Sequence, residues 1–229
     1  AYALDGESSP EIALQISMVM ATIGDYPNAL KYMKKSMKIR TECVMIGYYN
    51  YLLLCQKTYN TSNYFLDSIC EVNNCGEMCN QQRYLTSILQ NNLDRAQIYL
   101  EEAPDALIHP IFINDLMYAY YFKKTGREDK AQRILTTIID DNLKDLNNNL
   151  NRADLSSAYW MLSGAYSLLN DKVKALHYLS KLEEFGFFAG MQDFIMILPA
   201  FDNLRDDPQF MRIMKSVQDK KTIIRGQIF

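Results

Sequence analysis

Apolar residues fall at helical spacing over most of the chain. Ile12, Ile16, Val19 and Ile23 form one stripe, which predicts a first helix over 10–23. Ser9 suits its cap, Pro10 its first turn and Glu11 its positive end. Gly24-Asp25 breaks the pattern. A second helix over 26–39 then turns Ala29, Leu30, Met33 and Met37 inward and Lys31, Lys34, Lys35 and Lys38 outward. The same reading predicts helix pairs over 44–56 and 62–72, 75–89 and 93–102, 111–124 and 128–142, and 154–169 and 172–184. Segment 44–56 is apolar on all sides, with Tyr48, Tyr49, Tyr51 and Leu52 to Leu54, so it reads as a helix buried between neighbours. Ala103-Pro104-Asp105 closes the third pair and Gly186 to Gly190 ends the fifth. In the tail, Asp207-Pro208 marks a helix start whose apolar face is Phe210, Ile213, Met214 and Val217.

The turns between paired helices echo one another. Gly24-Asp25-Tyr26-Pro27-Asn28-Ala29-Leu30 returns in outline as Gly126-Arg127-Glu128-Asp129-Lys130-Ala131 and as Asn170-Asp171-Lys172-Val173-Lys174-Ala175-Leu176. Ala29 and Ala131 lie 102 residues apart, three times a period of about 34, the mark of a helical-repeat array. Ala131 and Ala175 lie 44 apart, which leaves an insert over 142–153. Its asparagines favour a loop or a late helix cap. One all-α domain over 1–229 is expected, with repeats at about 10–43, 44–74, 75–109, 110–153 and 154–187, and a helical cap and tail over 188–229.

The fifth pair carries a family pattern. Tyr159, Leu162, Tyr166, Asn170, Lys172, Ala175, Leu179 and Leu182 resemble a tetratricopeptide repeat, with Tyr159 at the tryptophan position and Ser163 in place of the glycine, which is shifted to Gly164. Tyr118-Ala119, Phe122, Gly126, Ala131 and Leu135 follow the pattern in the fourth pair, and Ile16-Ser17, Met20, Gly24, Tyr26, Ala29 and Met33 in the first. The resemblance covers about 10–185. It implies a right-handed superhelix of antiparallel helix pairs, about five repeats plus a capping segment, that binds a protein or peptide in a concave groove. The tail from Leu198 to Phe210 resembles the closing segment of many bacterial repeat proteins. That likeness implies a bacterial source and the sensing or docking part of a larger regulator.

In the register that the resemblance implies, the groove is lined by Leu116, Tyr120, Lys123 and Lys124 of the fourth repeat and by Ser157, Trp160, Gly164, Ser167 and Leu168 of the fifth. Ile113 belongs to the same face, Tyr48 is the inner aromatic of the second repeat, and Glu11, Leu14, Met18, Ala21 and Thr22 line the first. Aromatic rings give contact area at modest entropic cost. Lys123 and Lys124 are suited to clamp acidic side chains or a terminal carboxylate. Trp160, the single tryptophan, is the expected exposed anchor. Self-association through outer helices is the alternative role, and an enzyme with an unfamiliar site a further one.

Composition narrows the chemistry. A formal charge of −3 gives no bulk reason to expect nucleic-acid binding. No apolar run reaches the length of a membrane span, and the first ten residues do not read as a complete signal peptide, which leaves an exported or processed fragment as an alternative to a cytoplasmic protein. The cysteines are Cys43, Cys55, Cys70, Cys75 and Cys79; their odd number favours reduced, mostly buried thiols in a cytoplasmic protein. In Cys70-x4-Cys75-x3-Cys79, metal binding would need a fourth ligand, and a redox-sensitive disulfide is the other alternative. His109 and His177 stand outside any metal-binding spacing and read as structural, and the basic end around Lys215, Lys220, Lys221 and Arg225 as a solvated tail. No phosphate-binding loop, hydrolase elbow or kinase signature is present. No cofactor, metal or catalytic residue is expected.

Overall fold

The computed structural model describes residues 9–70, 72, 75–102, 113–148, 152–185 and 191–228. The proline at 104, His109 with Pro110, the end of the insert at 149–151 and the glycines at 186 and 190 lie outside the described residues. Among the described residues the fold is all helical, and the helices pack in adjacent pairs.

Two compact units divide the chain. One falls within Ala1–Pro104 together with Lys221–Phe229, the other within Asp105–Lys220. The first contains α1 (Pro10–Thr22), α2 (Tyr26–Ile39), α3 (Cys43–Cys55), α4 (Tyr59–Cys70), α5 (Gly76–Leu89) and α6 (Leu93–Glu102). The second contains α7 (Ile113–Lys124), α8 (Glu128–Asn147), α9 (Arg152–Leu168), α10 (Lys172–Phe185), the short α11 (Met191–Ile195), a 3-10 segment over Pro199–Leu204 and most of α12 (Pro208–Ile228).

Five helix hairpins share one turn. Gly24, Lys57, Asn91, Gly126 and Asn170 all have left-handed backbone, with φ of 75°, 57°, 55°, 75° and 61°. They stand 33, 34, 35 and 44 residues apart. At each, the left-handed residue donates its N–H to the carbonyl three residues back, and the next residue donates to the carbonyl five back, as in Asn91 to Ile88 and Asn92 to Ser87. This is the helix-ending double bond that a left-handed residue permits. The second helix then starts two residues on, at Tyr26, Tyr59, Leu93, Glu128 and Lys172. Side chains cap three of those starts: Asp25 accepts from Asn28 N at 3.3 Å, Asn92 from Arg95 N at 3.0 Å and Asp171 from Lys174 N at 3.1 Å.

A small residue follows five positions after each turn: Ala29, Ser62, Ala96, Ala131 and Ala175, all buried. A small side chain at that point lets the second helix come close to its partner. The two middle hairpins therefore obey the same rule as the outer three, with Lys57 and Asn91 in place of glycine. Lys57 adopts a conformation that costs an ordinary L-residue about 1–2 kcal/mol. Lys57→Gly is expected to stabilise the first unit by about 1 kcal/mol, after the entropic cost of glycine. Urea unfolding followed by circular dichroism checks this; a lower midpoint would contradict the shared turn.

The insert lengthens a helix. α8 continues to Asn147, with Asn148 as a late cap. The basic end is helical, lying in α12: Lys215, Lys220 and Arg225 are exposed as a solvated end requires, whereas Lys221 is buried; Lys215 pairs with Asp219 at 2.5 Å, and Arg225 Nη2 donates to Ile23 O at 2.5 Å.

In the first unit, Met33, Met45, Tyr49, Leu52 and Leu53 centre one core cluster, and Ile46, Leu66, Cys75 and Cys79 another. Buried polar groups join three helices: Asn50 Nδ2 donates to Gln82 Oε1 at 3.0 Å, and Ser62 and Thr86 hydroxyls lie 3.1 Å apart.

The expectation of reduced thiols is overturned. Cys43 bonds Cys75, and Cys70 bonds Cys79; Cys55 takes part in neither disulfide. Cys43 opens α3 and Cys75 caps α5, so they stand at matching ends of successive first helices. Thirty-two residues separate them, close to one repeat. The stacking of hairpins brings together what sequence distance kept apart.

In the second unit α7 is buried from Leu116 through Phe122, and α9 packs against α7, α8, α10 and the 3-10 segment. A Cβ on Gly164 would stand 2.5 Å from Leu116 Cδ1. The glycine at 164, rather than 163, is thus the residue that lets α7 and α9 meet.

Candidate functional site

A cleft of the second unit lies where α7 and α9 end beside the 3-10 segment. It has a volume of about 350 Å³. Tyr120, Lys123 and Lys124 come from α7, Ser167, Leu168 and Asn170 from the end of α9 and its turn, and Pro199, Ala200, Asp202 and Asn203 from the 3-10 segment.

Several of these groups hold the cleft rather than face a guest. The Ser167 hydroxyl lies 2.7 Å from Ala200 O and 2.6 Å from Asn203 Oδ1, so its single hydrogen serves one acceptor at a time. Asn203 Nδ2 returns two bonds, to Ser167 O at 2.8 Å and to Asn170 Oδ1 at 3.2 Å. Lys123 Nζ donates to Leu168 O, a terminal carbonyl of α9, where a cation also suits the negative helix end. Arg205 braces the 3-10 segment through Asp202 at 2.9 Å and Leu198 O at 3.0 Å.

Two groups stay exposed, and a third, the largely buried Tyr120, lines the wall beside them. Lys124 is exposed, with its ammonium 5.6 Å from the Tyr120 ring centre. Asn170 is exposed and its Oδ1 accepts from Asn203, which orients the amide and leaves Nδ2 to donate. Burial, and then the Asp202 carboxylate, push the Tyr120 phenol above its usual range, so it stays a neutral donor at physiological pH. Leu168, Pro199 and Ala200 supply apolar wall between these groups. A cation, an amide and a phenol around an apolar floor suit backbone carbonyls and a carboxylate.

The candidate residues from the sequence divide clearly. Tyr120, Lys123, Lys124 and Ser167 converge on the cleft. Leu116 is fully buried against Gly164. Trp160 is only 3% exposed, so the expected exposed anchor is corrected to a core side chain. Its indole nitrogen is buried without an acceptor among the described residues. Tyr48 belongs to the first unit, half-buried and stacked on Tyr51 at 5.8 Å, and burial raises its phenol pKa. Sequence reasoning missed Asn170, Asp202 and Asn203 as lining residues. Asn170 carried a signal, a turn asparagine with left-handed backbone. Asn203 carried none, because its role depends on the tail folding back onto α9.

Among the described residues, no group of three or more His, Cys, Asp or Glu side chains is placed to hold a metal ion. No helix among them is long and apolar enough to cross a membrane. Neither the known protein-family models nor the curated proteins contain a match to this chain.

Proposed function

We propose that this protein is a non-enzymatic helical-repeat binding module of tetratricopeptide type that captures an extended segment of another protein. The cleft of the second unit is its recognition site. The observation that carries this reading is the convergence of Tyr120, Lys124 and Asn170 around apolar wall, on a frame already locked by Ser167 and Asn203. A frame fixed before binding lowers the ordering cost of association. In this reading Lys124 pairs with a carboxylate of the guest, Asn170 Nδ2 donates to a guest carbonyl, and an apolar guest side chain sits on Leu168 and Pro199. The two disulfides support an oxidising compartment over the cytoplasmic setting expected from the odd cysteine count.

Selection of a displayed random-peptide library against the disulfide-intact chain tests this. Enriched peptides are expected to carry a carboxylate and to lose about tenfold in affinity on Lys124→Glu, a change of about 1.4 kcal/mol. Lys172→Glu, on an exposed position of α10 outside the cleft, is expected to leave affinity unchanged. Equal binding by the native and Lys124→Glu chains would exclude the cleft as the site.

A further inference from the structure

The first unit carries a second, chemically distinct surface. α2 holds Lys31, Lys34, Lys35 and Lys38 and not one acidic residue. Their spacing puts all four on one face, within about 10 Å along the axis, while Ala29, Met33 and Ser36 on the opposite face are buried. Beside them runs a groove of about 560 Å³, lined by Pro27, Leu30 and the four lysines.

Lys31, Lys34 and Lys38 are exposed, and among the described residues none of these three forms an ion pair. Among the described acids, Asp25 caps α2 through Asn28, and Glu11 accepts from Ser9 and faces Arg40 at 3.8 Å. Lys34 Nζ lies 5.9 Å from the Tyr49 ring centre and Lys35 Nζ 5.6 Å from that of Tyr32, contacts that direct two ammoniums without neutralising them. Like charges three and four residues apart destabilise a helix. Here they gather in a chain whose net charge is −3.

We propose that this groove docks an acidic peptide segment. Its carboxylates would pair with Lys31, Lys34 and Lys38, and its backbone would lie on Pro27, Leu30 and the lysine methylenes. The lysine stems beside Pro27 and Leu30 form a narrow strip along one helix, which suits a linear guest. The site is separate from the cleft of the second unit and stands or falls independently of it.

Fluorescein-labelled octaglutamate, titrated against the full disulfide-intact chain and followed by anisotropy, tests the proposal. Binding is expected to weaken at least about tenfold in the triple variant Lys31→Gln, Lys34→Gln, Lys38→Gln, and to weaken as salt rises past about 150 mM. The triple Glu variant is expected to abolish it. Lys215→Gln with Lys220→Gln, on exposed positions of α12, is expected to leave it unchanged. The Gln variant removes only exposed, mutually repelling charges, so it stays folded even where the Glu variant does not; circular dichroism checks both. Native-like binding by the Gln variant would overturn the proposal. So would a native chain that ignores octaglutamate, including one that instead sediments with phosphatidylserine vesicles.

Discussion

Trp160→Ala is expected to destabilise the second unit by about 3–5 kcal/mol, the cost of emptying a large aromatic site in a packed core. The side chain is 3% exposed on a helix buried nearly all round. Ala158, Met161, Leu162, Ser163 and Ala165 on the same helix are buried with it, so the backbone has little room to collapse into the space left behind. Against a total stability of about 5–15 kcal/mol, such a loss is severe. Trp160→Phe gives the contrast. It keeps most of the ring and removes an indole donor that has no acceptor among the described residues, so its expected cost is under about 1.5 kcal/mol. Urea unfolding followed by far-UV circular dichroism measures both. An alanine variant as stable as the native chain, with a weakened affinity for selected peptides, would return Trp160 to the surface as an anchor.

Loss of the disulfides is the second large effect. Opening Cys43–Cys75 by the double serine replacement frees a loop set by a separation of 32 residues, which the chain-entropy model values at about 3–4 kcal/mol; Cys70–Cys79, separated by 9, is worth about 2–3 kcal/mol. The two losses do not add, because the loops overlap and both bonds hold the start of α5. Alkylation gives a direct check. In denaturant without reductant one thiol, Cys55, is expected to react, and after reduction all five. Five reactive thiols before reduction would show that the bonds do not form. If they form, reducing agent is expected to lower the unfolding midpoint of the native chain and to leave that of the quadruple serine variant where it was.

Much of the fold was written in local signals. Ser9-Pro10, Gly24-Asp25 and Asp207-Pro208 announce helix ends through atoms within a few residues, and the structure places ends there. Lys57 hid its turn because lysine has no turn chemistry of its own. The surrounding hairpin holds it in the left-handed region. Asn91-Asn92 was weaker than glycine but legible in principle, and Ser62 and Ala96 complete the rule that Ala29, Ala131 and Ala175 suggested.

What depended on packing was harder to read. Cys43 and Cys75 meet through the stacking of α3 on α5, and Trp160 is buried because α9 has neighbours on every side. The cleft was half visible. Helix α7 offered Tyr120, Lys123 and Lys124, whereas Asp202 and Asn203 arrive from a segment that reads only as a cap. Even within the cleft, residue type misled: Lys123 and Ser167 are polar and well placed, yet their bonds are spent on the α9 terminus and the 3-10 segment.

The central claim is that the cleft of the second unit receives an extended segment. Hydrogen exchange of the disulfide-intact chain, measured with and without a library-selected peptide, tests it most directly. Protection is predicted at the ends of α7 and α9, at Asn170 and across Pro199–Leu204, and is predicted to vanish in Lys124→Glu. Protection confined to other helices, or unchanged in that variant, would contradict it.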